Sequence, residues 1–177
     1  VEEAGDDEFV YATNAAFVTG NAAVDVVDGG ANNDSVVSSE KITLVIADDL
    51  QRVENVENLK TATAVTAASS IVMNTNANLS EFRGFDLSAG TTGASTITMT
   101  GVTLATTLIG GTGNDTITAG AGNDTVSGGN GADSITGAAG VDSLVGGAGA
   151  DIFVYNGNNE GGIAAAAATR GIPTAGA

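Results

Sequence analysis

Apolar residues return at a fixed interval late in the chain: Ile117, Val126, Ile135, Leu144 and Phe153 stand nine residues apart. Around the first three the sequence reads Thr-Ile-Thr, Thr-Val-Ser and Ser-Ile-Thr. Each triplet points one apolar side chain inward and two hydroxyls outward, the alternation of a short β-strand. Earlier segments alternate less regularly, and Phe9 to Val18 is expected to be strand. So are KITLVI (41–46), the VENVENLKT segment (53–61), SSIVMN (69–74), ASTITMTGV (94–102) and ATTLIG (105–110). One stretch allows a second reading, because Leu50, Val53, Val56 and Leu59 are spaced i, i+3 and a short helix over 48–60 would align them.

Between the late apolar positions lies glycine. Residues 110–154 are five uninterrupted copies of one phrase: GGTGNDTIT, AGAGNDTVS, GGNGADSIT, GAAGVDSLV and GGAGADIFV. The fourth place is always glycine (Gly113, Gly122, Gly131, Gly140, Gly149) and the sixth always aspartate (Asp115, Asp124, Asp133, Asp142, Asp151). Glycine turns the chain tightly and the last three residues form the strand. One such unit cannot bury its apolar side chain alone, whereas stacked copies can, two copies making one 18-residue coil. The expected fold is therefore all-β, a parallel β-helix or β-roll solenoid. Stacking lines up Asp115, Asp133 and Asp151 on one side and Asp124 and Asp142 on the other. Those columns of like charge require a cation between the turns. Carboxylates and glycine-turn carbonyls form an all-oxygen donor set, which suits Ca²⁺ and neither zinc nor copper.

These copies resemble the calcium-binding RTX nonapeptide, GGxGxDxUx. The resemblance implies that each ion sits between two turns on the same side of the roll. Its ligands would be the five sixth-place aspartates and carbonyls of the second and fourth places: Gly111, Gly113, Gly120, Gly122, Gly129, Gly131, Ala138, Gly140, Gly147 and Gly149. Copies one with three, two with four and three with five would give about three complete sites. Two positions depart from the pattern, Ala119 at the first place of copy two and Ala138 at the second place of copy four. The frame returns in degenerate form at GNAAVDVVD (20–28) and GGANNDSVV (29–37), where Asp25 and Asp34 are possible further ligands; an ordinary hairpin turn at Asp28-Gly29-Gly30 is the alternative reading. There Ala23 and Asn32 replace the fourth-place glycine. Gly101 to Ile109 has the right length but carries Thr106 in place of aspartate, as expected of a cap on the calcium block.

The division expected is an irregular β-solenoid region over 1–109, the calcium roll over 110–154, and a capping strand with a Gly/Ala-rich tail over 155–177. Ile152 to Tyr155 would cover the open end of the roll. Glu2, Glu3, Asp6, Asp7 and Glu8 are expected to be a solvated end, with a calcium ligand among them as the alternative. The Ala164–Ala168 run is open to helix or loop.

Composition narrows the chemistry. The 177 residues carry 21 acidic against 5 basic side chains, a net charge of −16, and no Lys or Arg lies between Gly84 and Thr169. Such a field disfavours nucleic acid and anionic membranes as partners and attracts cations. With no histidine and no cysteine, a Ser-His-Asp triad, an HExxH site and thiolate metal sites are absent, and there is no G-x-S-x-G or Walker A phrase. The chain is not expected to be an enzyme, and no transmembrane run is visible. The resemblance implies an extracellular location, export by a type I machine, and folding on extracellular Ca²⁺. Three roles fit: a structural protein of the bacterial cell surface, part of a surface-layer lattice; an adhesin stalk; or the secretion and folding domain of an exported hydrolase or toxin. The expected partners are copies of the chain in a lattice, or a longer parent polypeptide.

Overall fold

The computed structural model describes residues 5–11, 18–19, 22–23, 27–38, 43–46, 53–54, 56–62, 67–73, 83–89 and 92–155. Among them there is no helix, and hence none long and apolar enough to cross a membrane. The strands are β1 (Glu8–Tyr11), β2 (Val18–Thr19), β3 (Ala22–Ala23), β4 (Val27–Asp28), β5 (Ser35–Ser38) and β6 (Thr43–Ile46). Then come β7 (Val53–Glu54), β8 (Asn58–Thr61), β9 (Ser70–Met73), β10 (Gly84–Asp86), β11 (Thr96–Thr98) and β12 (Thr107–Ile109). The repeat block contributes β13 (Thr116–Thr118), β14 (Thr125–Asn130), β15 (Ser134–Thr136), β16 (Ser143–Ala148) and β17 (Ile152–Val154).

The chain winds between two parallel sheets. One runs β1-β5-β8-β10-β12-β14-β16 and the other β6-β9-β11-β13-β15-β17. From β8 onward consecutive strands alternate between them, as a coil that passes through each sheet once per turn requires. Both sheets cross residue 110 without interruption, through the pairs β12–β14 and β11–β13. Successive passes are 27 residues apart from Asp7 to Asp34, 23 from Asp34 to Glu57, 26 from Ser69 to Ser95 and 20 from Ser95 to Asp115. Within the repeats the interval is 18. The longer early coils accommodate a short third face, β4 paired in parallel with β7.

The registers stack like on like. In the first sheet Phe9, Val36, Leu59, Phe85, Leu108, Val126 and Leu144 form one column. In the second, Leu44, Ile71, Ile97, Ile117, Ile135 and Phe153 form another. Val36, Leu59, Ile71, Phe85, Ile97, Leu108, Ile117, Val126 and Ile135 are buried together, with Val56, Leu87, Met99, Val102 and Ala119 filling the remaining space. Coils of such different length share one core because each supplies the same short inward-facing strand.

The eighth-place residues are inward as expected, and each strand expected over 41–110 has a counterpart. Of the two readings of 48–60, the described residues bear out strand and not helix: β7 and β8 lie there, joined through Val56 and Glu57, which have no regular structure. Val56 is buried in the connection and Leu59 in β8, so a three-residue spacing arises from two strands and the link between them. Of Phe9 to Val18, β1 ends at Tyr11 and residues 12–17 lie outside the described set. In the 20–28 copy, Ala22–Ala23 pairs antiparallel with Val18–Thr19, and Asp25 lies outside the described residues. The coil carrying Thr106 is no terminus, because strands continue on both sides of it in both sheets. At the far end Phe153 packs on the core while Ile152 and Tyr155 are exposed, and β17 stops at Val154. Among the described residues, one of the two aromatics, Phe153, packs over that end. The Ala164–Ala168 run lies outside the described residues.

Leu108 sits mid-column with no exposed surface. Leu108→Ala is expected to cost about 2–5 kcal/mol in chemical denaturation of the calcium-loaded chain. Val145→Thr, at an exposed position, should stay within about 0.5 kcal/mol.

Candidate metal centre

The strand registers place the sixth-place aspartates directly before paired strands, so they form two columns. Asp115, Asp133 and Asp151 precede β13, β15 and β17, while Asp124 and Asp142 precede β14 and β16. One hydrogen bond recurs along both columns. The amide of a pre-strand residue donates to Oδ1 of the aspartate one coil later: Ser95 to Asp115 (2.7 Å), Asp115 to Asp133 (2.8 Å) and Asp133 to Asp151 (3.1 Å). On the other side Thr106 donates to Asp124 (2.8 Å) and Asp124 to Asp142 (2.9 Å). A second set runs the other way, from the fifth-place amide to the side chain one coil earlier: Ala132 to Asn114 (2.8 Å) and Val141 to Asn123 (2.9 Å).

The second carboxylate oxygen turns into its own glycine loop. Gly111 N donates to Asp115 Oδ2 at 2.7 Å, and Gly120 N to Asp124 Oδ2 at 3.2 Å. The longer bond belongs to the copy that begins with Ala119 instead of glycine. Asp133 Oδ2 is buried and has no hydrogen-bond partner among the described residues. Asp115, Asp124 and Asp133 are almost wholly buried, and Asp142 and Asp151 partly so.

The carbonyls complete the picture. A Cβ added to Gly131 would strike Gly113 O, and one on Gly140 would strike Gly122 O. Added to Gly129, Gly147 or Gly149, it would strike Gly111 O, Gly129 O and Gly131 O. Second- and fourth-place carbonyls therefore face forward, into the gap before the next coil on their side. Gly111 O already accepts Asn130 N there (3.1 Å), and Gly120 O accepts Ala139 N (3.3 Å). Ala138, Gly140, Gly147 and Gly149 belong to the last turns on their sides, so among the described residues no later coil faces their carbonyls. The sequence reading missed the first-place carbonyls. Gly128 O lies against Gly110 and Gly146 O against Gly128, so these face backward into the same gaps. The gap between copies one and three is thus bordered by Asp115, Asp133 and the carbonyls of Gly111, Gly113 and Gly128. No group of three or more acidic side chains suited to a metal converges among the described residues; backbone oxygen must make up the rest of any coordination shell.

Two turn positions need left-handed backbone. In copies three to five the second and fourth places have positive φ: 108° and 129° at Gly129 and Gly131, and 105° and 137° at Gly147 and Gly149. Ala138 adopts φ 64° between them, so copy four keeps the loop at the cost of a strained alanine. The same signature appears in the degenerate copy 29–37, with Gly30 at 86° and Asn32 at 101°. Asparagine tolerates this region better than most residues, and Asp34 in that copy is fully buried. Asp34 thus sits as the repeat aspartates do.

Electrostatics disfavour the ionised, metal-free pair Asp115 and Asp133. Burial raises the Asp115 carboxyl above its ordinary 3.8; amide hydrogen bonds from Ser95 and Gly111 lower it, and the Asp133 charge raises it again. Asp133 is raised by burial too, against the Asp115 amide and with the Asp151 charge.

The RTX calcium-binding nonapeptide repeat family, in four copies, matches residues 17–38, 100–135 and 127–159. The chain carries RTX repeats. No curated protein and no solved structure matches it. The RTX match takes in 29–37, where Asp34 lies, and opens one copy before Gly110, at the coil that carries Thr106. The all-oxygen donors, the buried carboxylates and the unpartnered Asp133 Oδ2 fit the calcium that RTX repeats bind.

Two outcomes are expected. Because folding raises the Asp115 and Asp133 pKa values, ionisation opposes the metal-free roll. Its stability is greatest where both are protonated, and falls as pH rises from the ordinary carboxylate range through the raised values. In a chelator, circular dichroism should show more β structure near pH 4 than near pH 7; a signal that is flat or grows with pH would contradict this. At Ala138 the left-handed alanine is the strained residue, so Ala138→Gly should stabilise the calcium-loaded chain by about 1 kcal/mol in denaturant titration.

Proposed function

We propose that this chain is a calcium-dependent structural element of the bacterial cell surface, part of a surface-layer lattice, which folds and assembles on extracellular Ca²⁺ and catalyses no reaction. The observation that carries the reading is the column of buried aspartates with no Lys or Arg in the surrounding sequence. With those carboxylates ionised, such a roll depends on a cation supplied from outside. Bound calcium brings the positive charge that lets the carboxylates remain ionised and buried. The chain's own residues do the rest: the amides of Ser95, Asp115 and Asp133 hold the carboxylates in register, and the glycine loops aim their carbonyls into the same gaps. Copies one and three, two and four, and three and five give three sites, with Asp133 shared by two.

Part of each site is unformed before folding, so the ordering cost is subtracted from the ligand energy. Half-saturation is expected at roughly 10⁻⁴–10⁻³ M, the range of extracellular modules. Assembly is supported by the last coil. Four of the five exposed large apolar residues among the described set, Val141, Val145, Ile152 and Tyr155, lie there, the fifth being Val10 in β1, and a second copy of the roll is the partner that would cover the four.

The test is electron microscopy and circular dichroism of the chain in millimolar Ca²⁺ and in chelator. β structure and ordered sheets that appear only with Ca²⁺ are the expected result. Isolated rods would favour a stalk. Equal β content in both conditions would remove calcium from the account.

A further inference from the structure

The repeat block leaves a hydrogen-bond signature, and the same signature occurs once more, at the other end of the roll. Between copies one and three it has three parts. The Asp115 amide donates to Asp133 Oδ1, the Ala132 amide donates to Asn114 Oδ1, and the Ser134 amide donates to Asp115 O. Copies two and four repeat it at Asp124, Asp142, Asn123, Val141 and Ser143. Between the first two passes of the first sheet, the Asp7 amide donates to Asp34 Oδ1 at 2.7 Å and the Asn33 amide to Asp6 Oδ1 at 3.1 Å. The Ser35 amide donates to Asp7 O at 2.9 Å. The three bonds agree place for place, although the coil here is 27 residues long instead of 18.

With this register the start of the chain falls into the nonapeptide frame: Gly5 takes the fourth place, Asp7 the sixth and Phe9 the eighth. Phe9 pairs with Val36 and packs on the core, as eighth-place residues do. The family match begins only at residue 17.

An unpartnered oxygen points the same way. Three buried side-chain oxygens lack a hydrogen-bond partner among the described residues: Thr61 Oγ1, Asp133 Oδ2 and Asp34 Oδ2. The last two are the sixth-place carboxylates of the two centres. In copy one the corresponding Asp115 Oδ2 is met by Gly111 N, four residues earlier. In the 29–37 copy the equivalent Gly30 N is turned to Asp28 Oδ1 instead. Asp34 therefore carries a buried oxygen that no amide meets, beside a second carboxylate one coil away. A buried charge left without a partner is disfavoured unless a cation reaches it.

We propose that Asp7 and Asp34 form a further calcium site, at the amino-terminal end of the roll, across the 27-residue coil. Carboxylates and turn oxygens are hard donors, which select Ca²⁺ over softer metals. The site ties a 27-residue coil to its neighbour, where no strict repeat enforces the register. It rests on the calcium reading of the repeat block and uses none of that block's residues.

The test is calcium stoichiometry by equilibrium dialysis, with hydrogen exchange read separately for 5–38 and 110–154, in the full chain. In the wild type Ca²⁺ should protect both segments. Asp34→Asn and, as the milder change at a half-buried position, Asp7→Asn should each lower bound calcium by one per chain. Each should abolish the calcium-dependent protection of 5–38 while leaving that of 110–154. Unchanged stoichiometry in Asp7→Asn, or wild-type protection confined to 110–154, would overturn the proposal and spare the repeat-block reading. Absence of protection at 110–154 in the wild type would overturn both.

Discussion

A backbone amide reaching a carboxylate on the next coil is the contact on which this roll is built. It fixes the register of the stack, yet it also forces acidic side chains into the interior one strand spacing apart. At about 4.8 Å and an effective dielectric near 20, neighbouring carboxylates repel by about 3 kcal/mol. One hydrogen bond to a charged group contributes roughly 1.5–3 kcal/mol, which at best cancels that repulsion and leaves the burial of the charge unanswered. The ladder specifies where each coil sits and leaves the decision to fold with the cation.

Along the first sheet the column reads Asp7, Asp34, Glu57, Arg83, Thr106, Asp124, Asp142. The Asp34 amide donates to Glu57 Oε2 at 2.6 Å, so a glutamate in the irregular region holds the register as the aspartates do. Arg83 and Thr106 then separate two acidic runs. The Thr106 amide and hydroxyl both donate to Asp124 Oδ1, so a neutral residue begins the calcium block with two donors and adds no charge. The coils shorten from 27 to 18 residues along the roll, and the third face formed by β4 and β7 belongs to the long ones. Constant core strands with variable loops let one stack contain both.

What the sequence made legible follows from its period. Nine-residue spacing with apolar eighth places identified the inward residues of β13 to β17, and the fixed aspartates identified the columns. Asn32 in place of glycine still marked 29–37 as a nonapeptide, because its side chain tolerates the left-handed backbone. Over 41–109 the described strands other than β10 (Gly84–Asp86) were readable from alternation, but their partners were not, since the loops between them have no constant length. The Val53, Val56, Leu59 spacing suited a helix and a strand–turn–strand equally well. Carbonyl direction leaves no trace in side-chain pattern, so Gly128 and Gly146 went unnoticed while Ala138, Gly140, Gly147 and Gly149 were assigned gaps that no later described coil closes. Asp7 was hidden within a run of acids whose frame keeps only Gly5, Asp7 and Phe9.

The ladder also has a direction. At the sixth places the carboxylate belongs to the later coil and the amide to the earlier one, from Asp7 and Asp34 to Asp133 and Asp151, while the fifth-place bonds run from the later amide to Asp6, Asn114 or Asn123 on the earlier coil. The two faces of any repeat coil are therefore chemically unlike: sixth-place carboxylates look back along the chain, and second- and fourth-place glycine carbonyls look forward. A head-to-tail contact between two rolls would repeat the juxtaposition of one coil on the next, and a heterologous contact of that kind generates an open-ended filament and not a closed pair.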